Sequence, residues 1–398
     1  MHRPELQIHG VPQNPLSSTT LIHPDMGQNQ DHPHPRCLVV GNYCHDVLMK
    51  DDLVLAESLG GAASFISAVL DGFSIPCTFV SKVGSDFSYP VTHPPLVSPS
   101  SQTTLFHAHF SSRVQRHDRV LKRVRACDPI APSDLPRPRP NHRFELGLAV
   151  GVAGEISPET LEGMLDICDT VFVDIQALIR VFDPADGTVN LVHVRDSGFH
   201  HLLPRIGFLK ASSDEAPYVD VDEARRDCCV VVTNGKDGST FYYKNVEQQI
   251  LPFPTVQVDP TGAGDSFLGG LVSGLAHGLS VPDAALLGNF FGSLTVGQVG
   301  LPKFDSSLLQ AVKDEVQRKK SHIFGPIKCI NEGLVFAKPL DHEEFHAALV
   351  RANTPPHTFP IQEESQRELL CSPRVAEHHN CNGQPKTLSS NACEETIT

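Results

Sequence analysis

The segment Val258-Asp-Pro-Thr-Gly-Ala-Gly-Asp-Ser-Phe-Leu-Gly-Gly-Leu271 restricts the possible folds of this chain more than any other. Asp259 precedes a proline, which pushes it out of the helical region and ends an extended segment. Gly262, Ala263 and Gly264 then make a turn whose backbone can approach another group closely. In the helix that follows, Phe267, Leu268, Leu271, Val272, Leu275 and Leu279 form an apolar face. Gly269, Gly270, Ser273 and Gly274 supply small residues for close packing. A buried helix with its N-terminus open to a cleft is what an anion site needs.

That N-terminus is suited to an anion, because the first-turn N–H groups have no partner within the helix and the dipole adds positive potential. Asp265 stands at the mouth of the same hole. There a carboxylate can take the proton from an attacking hydroxyl while the donors hold the charge developing on a transferred phosphoryl group. The plainer alternative makes Asp265 a helix N-cap.

Around this segment, short apolar runs alternate with helical ones. Strands are expected at Cys77–Val83, Glu145–Val152, Thr170–Asp174, Ile206–Lys210 and Cys229–Thr233, and helices at Ser157–Ile167, Asp220–Asp227 and Pro282–Val296. Ser157-Pro158 is a helix start, with Ser157 at the N-cap and Pro158 behind it. Such alternation implies an α/β sandwich on a mainly parallel sheet. Residues from about 87 to 127 break the pattern with extended, alternating segments, which suggests a small antiparallel accessory sheet. The ordered unit is expected to span residues 36–320 and to be self-sufficient. Its flanks, 1–35 and 321–398, are rich in His, Pro, Asn, Gln and Ser and read as mostly disordered.

The remaining candidates fall where open α/β sheets bind ligands, at the carboxyl ends of strands. Asp46 follows the first apolar strand, Cys37–Val40, and either accepts hydrogen bonds from a polyol or serves as a turn residue. Gly60-Gly61 either closes a tight turn or lets a substrate touch the backbone. Thr233 and Gly235 are candidates to border a nucleotide phosphate. Glu215 either orients water on Mg²⁺ or is an ordinary helix-start acid. Asn289 lies near a base or is a buried, satisfied amide.

Composition narrows the partners. A formal charge of −14 argues against non-specific binding to nucleic acid or an anionic membrane. No apolar run reaches the roughly 18 residues of a membrane span, so a soluble, cytoplasmic protein is expected. Eleven irregularly spaced cysteines make neither a disulfide framework nor a metal pattern. There is no G-x-x-x-x-G-K-[ST] loop and no G-x-G-x-x-G after a strand, which leaves a P-loop or dinucleotide fold without support.

Taken together, residues 36–320 resemble the ribokinase-like, or phosphofructokinase-B-type, family of carbohydrate kinases. Asp259-Pro-Thr-Gly-Ala-Gly-Asp265 is similar to its C-terminal signature, Gly60-Gly61 to its N-terminal glycine pair, and Thr233, Gly235 and Gly238 to its nucleotide-side turn. The resemblance implies a three-layer α/β/α sandwich with a small accessory β-sheet acting as a lid. It implies Asp265 as catalytic base, Gly262, Ala263 and Gly264 as anion hole, and Asp46 with Gly60 and Gly61 on the substrate. It also implies Ser212, Thr233, Gly235, Gly238, Thr261 and Asn289 on the nucleotide, Glu215 reaching the metal through water, and ATP and Mg²⁺ as co-substrate and cofactor. The chain departs from the pattern at Ser212-Ser-Asp-Glu215, where an Asn-x-x-Glu motif keeps its acid and loses its amide, and at Phe65, where sugar kinases carry an asparagine.

Leu-Gly-Gly-Ala-Ala-Ser-Phe-Ile-Ser and Ala-Ala-Leu-Leu-Gly-Asn-Phe-Phe-Gly-Ser are most similar to the inositol-kinase branch of that family. This implies myo-inositol as acceptor, phosphorylated at its 3-position and feeding phytate synthesis, in a monomer or homodimer. The alternatives are another sugar or nucleoside as acceptor, or a catalytically inactive relative that acts through protein contacts.

Overall fold

The computed structural model describes residues 36–51, 53–110, 120–137, 143–320 and 334–353. The segment 1–35 and most of 321–398, both expected to be disordered, lie outside the described residues. In chain order the strands are β1 Cys37–Val40, β2 Cys44–Lys50, β3 Leu53–Gly60, β4 Cys77–Val80, β5 Lys82–Gly84, β6 Leu96–Ser98, β7 Thr104–Phe110, β8 Val120–Arg125, β9 Phe144–Ala149, β10 Cys168–Asp174, β11 Arg180–Phe182, β12 Val189–Leu191, β13 Phe208–Ser212, β14 Cys229–Thr233, β15 Ser239–Tyr243 and β16 Val246–Ile250. The α-helices are α1 Ala62–Gly72, α2 Pro158–Ile167, α3 Gln176–Ile179, α4 Val221–Ala224, α5 Ala263–Ala276, α6 Val281–Val296, α7 Ser306–Lys320 and α8 His342–Ala352.

The central sheet has the order β16-β15-β14-β13-β10-β9-β1-β4. From β4 to β14 every pair is parallel, and β15 and β16 close one edge antiparallel. Side chains alternate between the two faces of a strand, so each strand feeds two cores. Cys229 and Val231 pack with α1, α5, α6, α7 and α8, whereas Val230 and Val232 pack with α2 and the short helical turns opposite. This is the expected α/β/α sandwich. Helix α2 starts as read from its sequence, the Ser157 side chain accepting from the Thr160 N–H at 3.2 Å. Helices α5 and α6 run nearly in backbone contact: a Cβ on Gly270 would lie 2.8 Å from the Leu287 carbonyl oxygen. The small residues of α5 thus permit the burial that its apolar composition demands.

The accessory sheet differs from the expectation in both extent and direction. Its order is β3-β2-β7-β8, and the β2–β7 pair is parallel, so the sheet is mixed and draws on residues 44–60 as well as 104–125. The chain leaves the central sheet at Gly41-Asn42-Tyr43 and enters β2 of the lid. Asn42, 1% exposed, ties that departure down: its N–H donates to Glu155 and its Oδ1 accepts from the Lys82 N–H. Asp46 therefore belongs to a lid strand and not to the end of β1. The Cys77–Val83 run divides at Ser81 into β4 and β5, and the expected Asp220–Asp227 helix shrinks to α4.

The ordered unit also continues beyond Lys320. Phe345 and Leu349 of α8 are buried in the same core as Val312 and Val316 of α7. Among the described residues no helix is long and apolar enough to cross a membrane.

Candidate active site

The carboxyl ends of β10, β13 and β14 and the N-terminus of α5 meet beneath the lid. Gly262 is the N-cap of α5 with φ +75°, a left-handed conformation that favours glycine. A Cβ there would also fall 2.0 Å from the Phe65 ring, so Phe65 closes over the turn. Asp265 is therefore in the first turn of α5 and is not its N-cap. Its Oδ1 accepts from Gln176 Nε2 at 3.2 Å.

Two cavities adjoin this turn. The first, of ≈ 100 Å³, lies under the lid and is lined by Asp46, Gly61, Phe65, Arg180, Thr261, Gly262 and Asp265, among others. Lid residues from three strands reach it, Asp46, Val47 and Leu48 from β2, Ala56 and Ser58 from β3, and Phe106 and Ala108 from β7, alternating along β3 and β7. The Asp46 carboxylate sits directly over Gly60: a Cβ on Gly60 would be 2.0 Å from Asp46 Oδ2. The second cavity, of ≈ 320 Å³, is lined by Thr233, Gly235, Gly238, Phe253, Ala263, Gly264 and Asn289, among others. The Gly262-Ala263-Gly264 turn is thus the wall between the two.

Of the residues singled out in the sequence, Asp46, Gly61 and Asp265 gather on the first cavity, and Thr233, Gly235, Gly238, Ala263, Gly264 and Asn289 on the second. Gly60 backs Asp46. Thr261, expected on the nucleotide side, lines the first cavity instead, because the turn directs it toward the lid. Asn289 is a buried, satisfied amide, its Nδ2 donating to the carbonyls of Ile250 at 3.2 Å and Leu251 at 2.9 Å, and it also lines the second cavity. Ser212 and Glu215 line neither cavity and instead hold each other. The Ser212 N–H donates to Glu215 Oε2 at 2.9 Å, and the Glu215 N–H to Ser212 Oγ at 3.3 Å.

Four residues at this junction escaped the sequence reading: Asp174, Gln176, Arg180 and Lys210. Lys210, 5% exposed, places its Nζ 2.9 Å from Oδ2 of the fully buried Asp174. A Cβ on Gly264 would be 2.7 Å from that Nζ, which puts the ammonium group at the N-terminus of α5. A lysine inside the otherwise apolar run Phe208–Ala211 was the available signal. A lysine so placed in a buried strand needs a partner.

The charges are strongly coupled. Burial works to lower the pKa of Lys210, yet Asp174, Glu215 and Asp265 together hold it above the usual lysine range. Burial lifts Asp174 to about 6 against the pull of Lys210, so the pair is ionised at neutral pH. Burial also raises Asp265 above the ordinary aspartate range, opposed by Lys210, Arg180 and the Gln176 hydrogen bond. Glu215 is pulled the other way: burial would raise it, but Lys210 and then Arg180 bring it below the glutamate range. A carboxylate of raised pKa thus faces one cavity, and a buried ammonium group lies behind the helix N-terminus that borders the other.

A family model described as "pfkB family carbohydrate kinase" matches residues 218–304. An inositol 3-kinase of Arabidopsis thaliana is 55% identical over 357 residues, covering 88% of this chain and 96% of that protein. The chain belongs to the pfkB family of carbohydrate kinases. A second member of the family, the inositol 3-kinase of Zea mays, is 52% identical over 79% of this chain and 86% of its own length. Among solved structures, a pyrophosphate-dependent kinase of the ribokinase family in complex with sulfate superposes with a TM-score of 0.57. It is 17% identical and covers 67% of this chain and 97% of that one, a likeness of fold. As a pfkB carbohydrate kinase, the protein transfers a phosphoryl group to a hydroxyl, and ATP is the co-substrate its family implies.

Proposed function

We infer that the protein phosphorylates the 3-hydroxyl of myo-inositol with ATP. The observation that carries the chemistry is that one turn, Gly262–Gly264, divides two cavities, with Asp265 facing the first and Lys210 behind the second. The identity of the acceptor rests on the likeness to inositol 3-kinases along most of the chain.

In this reading the smaller cavity holds the polyol and the larger one the nucleotide. Asp46 accepts hydrogen bonds from two ring hydroxyls, and the Phe65 ring covers an apolar face of the ring. Gln176 fixes the Asp265 carboxylate by one oxygen, so the carboxylate takes the proton as the hydroxyl oxygen bonds to the γ-phosphorus and the bond to the β-phosphate oxygen breaks. The ammonium of Lys210 and the first-turn N–H groups of α5 hold the charge on the transferring group from the donor side, and Arg180 holds it from the acceptor side. Catalysis is then mostly positioning and electrostatics.

Among the described residues no group of three or more His, Cys, Asp or Glu could hold a metal ion by itself. That suits Mg²⁺, which keeps most of its waters and borrows few protein ligands. Glu215, held ionised and braced by Ser212, would orient such a water, and the ion would offset charge on the phosphates. The serine at the lost amide position thus supports the acid in place of contacting the phosphate.

The test is turnover of ATP with Mg²⁺ against myo-inositol, ribose, fructose and adenosine, with the phosphorylated position read by NMR. Turnover of myo-inositol to the 3-phosphate is expected. A preference for another acceptor would overturn the substrate, and no turnover with any acceptor would overturn the catalytic reading.

A further inference from the structure

Outside the two cavities, α8, the last of the described helices, is firmly anchored although the kinase chemistry does not use it. A buried charge cluster fastens its start. His342, 1% exposed, shares a 2.7 Å hydrogen bond through Nδ1 with Oδ1 of the fully buried Asp283 in α6. Lys319 of α7 lies 3.2 Å from Asp283 Oδ2 and 2.5 Å from Asp341 Oδ1. Just before the helix, the Val281 N–H donates to the Val335 carbonyl at 2.9 Å, and Phe336 stacks on Tyr243 with ring centres 4.2 Å apart. These contacts tie α8 to α6, α7 and the antiparallel edge of the central sheet.

What this anchoring presents is His346. Its ring stacks on Phe253 with centres 4.5 Å apart and planes inclined by 29°, and its Nε2 donates to the Pro252 carbonyl at 3.2 Å. Pro252 and Phe253 line the larger cavity, whereas His346 does not. The wall they belong to, Pro252–Gln257, has no regular secondary structure and carries Val256 with 81% of its surface exposed. Phe253 also meets the buried Phe290 of α6 edge-on at 5.1 Å. The ring is thereby held between α6 and His346, and α8 supplies the half of the clamp that α6 cannot.

We propose that His346 is a positioning residue for the nucleotide: through Phe253 and Pro252 it sets the apolar wall against which the base of the donor rests. This rests on the assignment of the larger cavity to the nucleotide. A wall without regular backbone hydrogen bonds samples several positions unless side chains fix it, and ordering it in advance lowers the cost of binding. The acceptor cavity lies across the Gly262–Gly264 turn and shares no residue with this clamp, so the effect falls on the donor alone.

The experiment compares the full chain with His346→Ala and His346→Phe. Steady-state kinetics with ATP and myo-inositol should show the KM for ATP raised about three- to tenfold in the alanine variant, the worth of one aromatic stack. The KM for myo-inositol and kcat should stay within about twofold, since neither depends on the wall. His346→Phe keeps the stack and should recover most of the loss. Titration with mant-ADP should give the same order of affinities. An unchanged KM for ATP in the folded alanine variant, or a parallel rise in the KM for myo-inositol, overturns the proposal. If His346→Ala does not fold, His346→Gln removes the stack and is judged by the same criteria. A parent protein that binds mant-ADP but leaves myo-inositol unphosphorylated refutes the acceptor reading and leaves the mant-ADP comparison decisive here. A parent that does not bind mant-ADP refutes both.

Discussion

Replacing Lys210 by methionine keeps the length of the side chain and removes its charge, which separates the structural role of the buried pair from its catalytic one. Asp174 is fully buried and 2.9 Å from the ammonium group. Without it a carboxylate remains in the interior with no countercharge, and breaking a buried pair in this way costs about 3–5 kcal/mol. The same ammonium stands at the N-terminus of α5, where losing one preorganised donor to the transferring phosphoryl lowers kcat by about 10²–10³. The two effects separate with pH. Burial lifts Asp174 to about 6 in the folded parent, above the roughly 3.9 of an unfolded chain, and removing Lys210 raises the folded value further. A group with a raised folded-state pKa binds more protons when folded, so stability falls as pH rises through the interval. The deficit of the variant against the parent should therefore grow above about pH 6 and be smaller at pH 5.5 than at pH 8. Urea denaturation at both pH values reads the stability, and a coupled assay for ADP release reads kcat. The double variant Asp174→Asn with Lys210→Met should recover most of the stability and little of the rate. A Lys210→Met protein within about 1 kcal/mol of the parent at pH 8, with kcat within about threefold, would refute the placement of this charge.

Asp265→Asn should lower kcat by about 10²–10⁴ with the fold intact by circular dichroism; an unchanged rate would remove it as the base. Because burial raises Asp265, the acid limb of log kcat/KM should lie above the roughly 3.9 of an ordinary aspartate and vanish in Asp265→Asn; a pH–rate profile flat down to pH 4 would contradict this. Gly60→Ala puts a Cβ where the Asp46 carboxylate sits, so the KM for the polyol should rise about tenfold or more while that for ATP holds. A chain cut after Lys320 leaves Asp283 and Lys319 without His342 and Asp341, and its melting temperature should fall far below that of a chain ending at Asn353. Equal melting temperatures would show that α8 adds nothing.

How legible the protein was depended on whether the signal was local. Ser157 at the start of α2, the strand–helix alternation and the Asp259–Asp265 turn were all readable, because caps, periodicity and glycine turns act over a few residues. The boundary at Lys320 was not, because the anchor of α8 is Asp283, and nothing near His342 announces a partner 59 residues earlier. Asp46 was read as following β1, whereas it stands on a lid strand and lines the smaller cavity. Its place in the lid depends on pairing with Ser58 and Phe106, which only the folded sheet provides.

From its sequence alone this chain had to bury a glycine-rich helix with an acid at its open end, and to do so in an α/β sandwich. Local sterics, helix-end hydrogen bonding and apolar periodicity leave few other solutions. Which groups join that acid was decided in three dimensions. Asp174 and Lys210 are cross-strand neighbours of β10 and β13, and Gln176 and Arg180 follow the same strand into the site. Their partnership arises from strand register between distant segments, and register is set by the packing of the whole sheet.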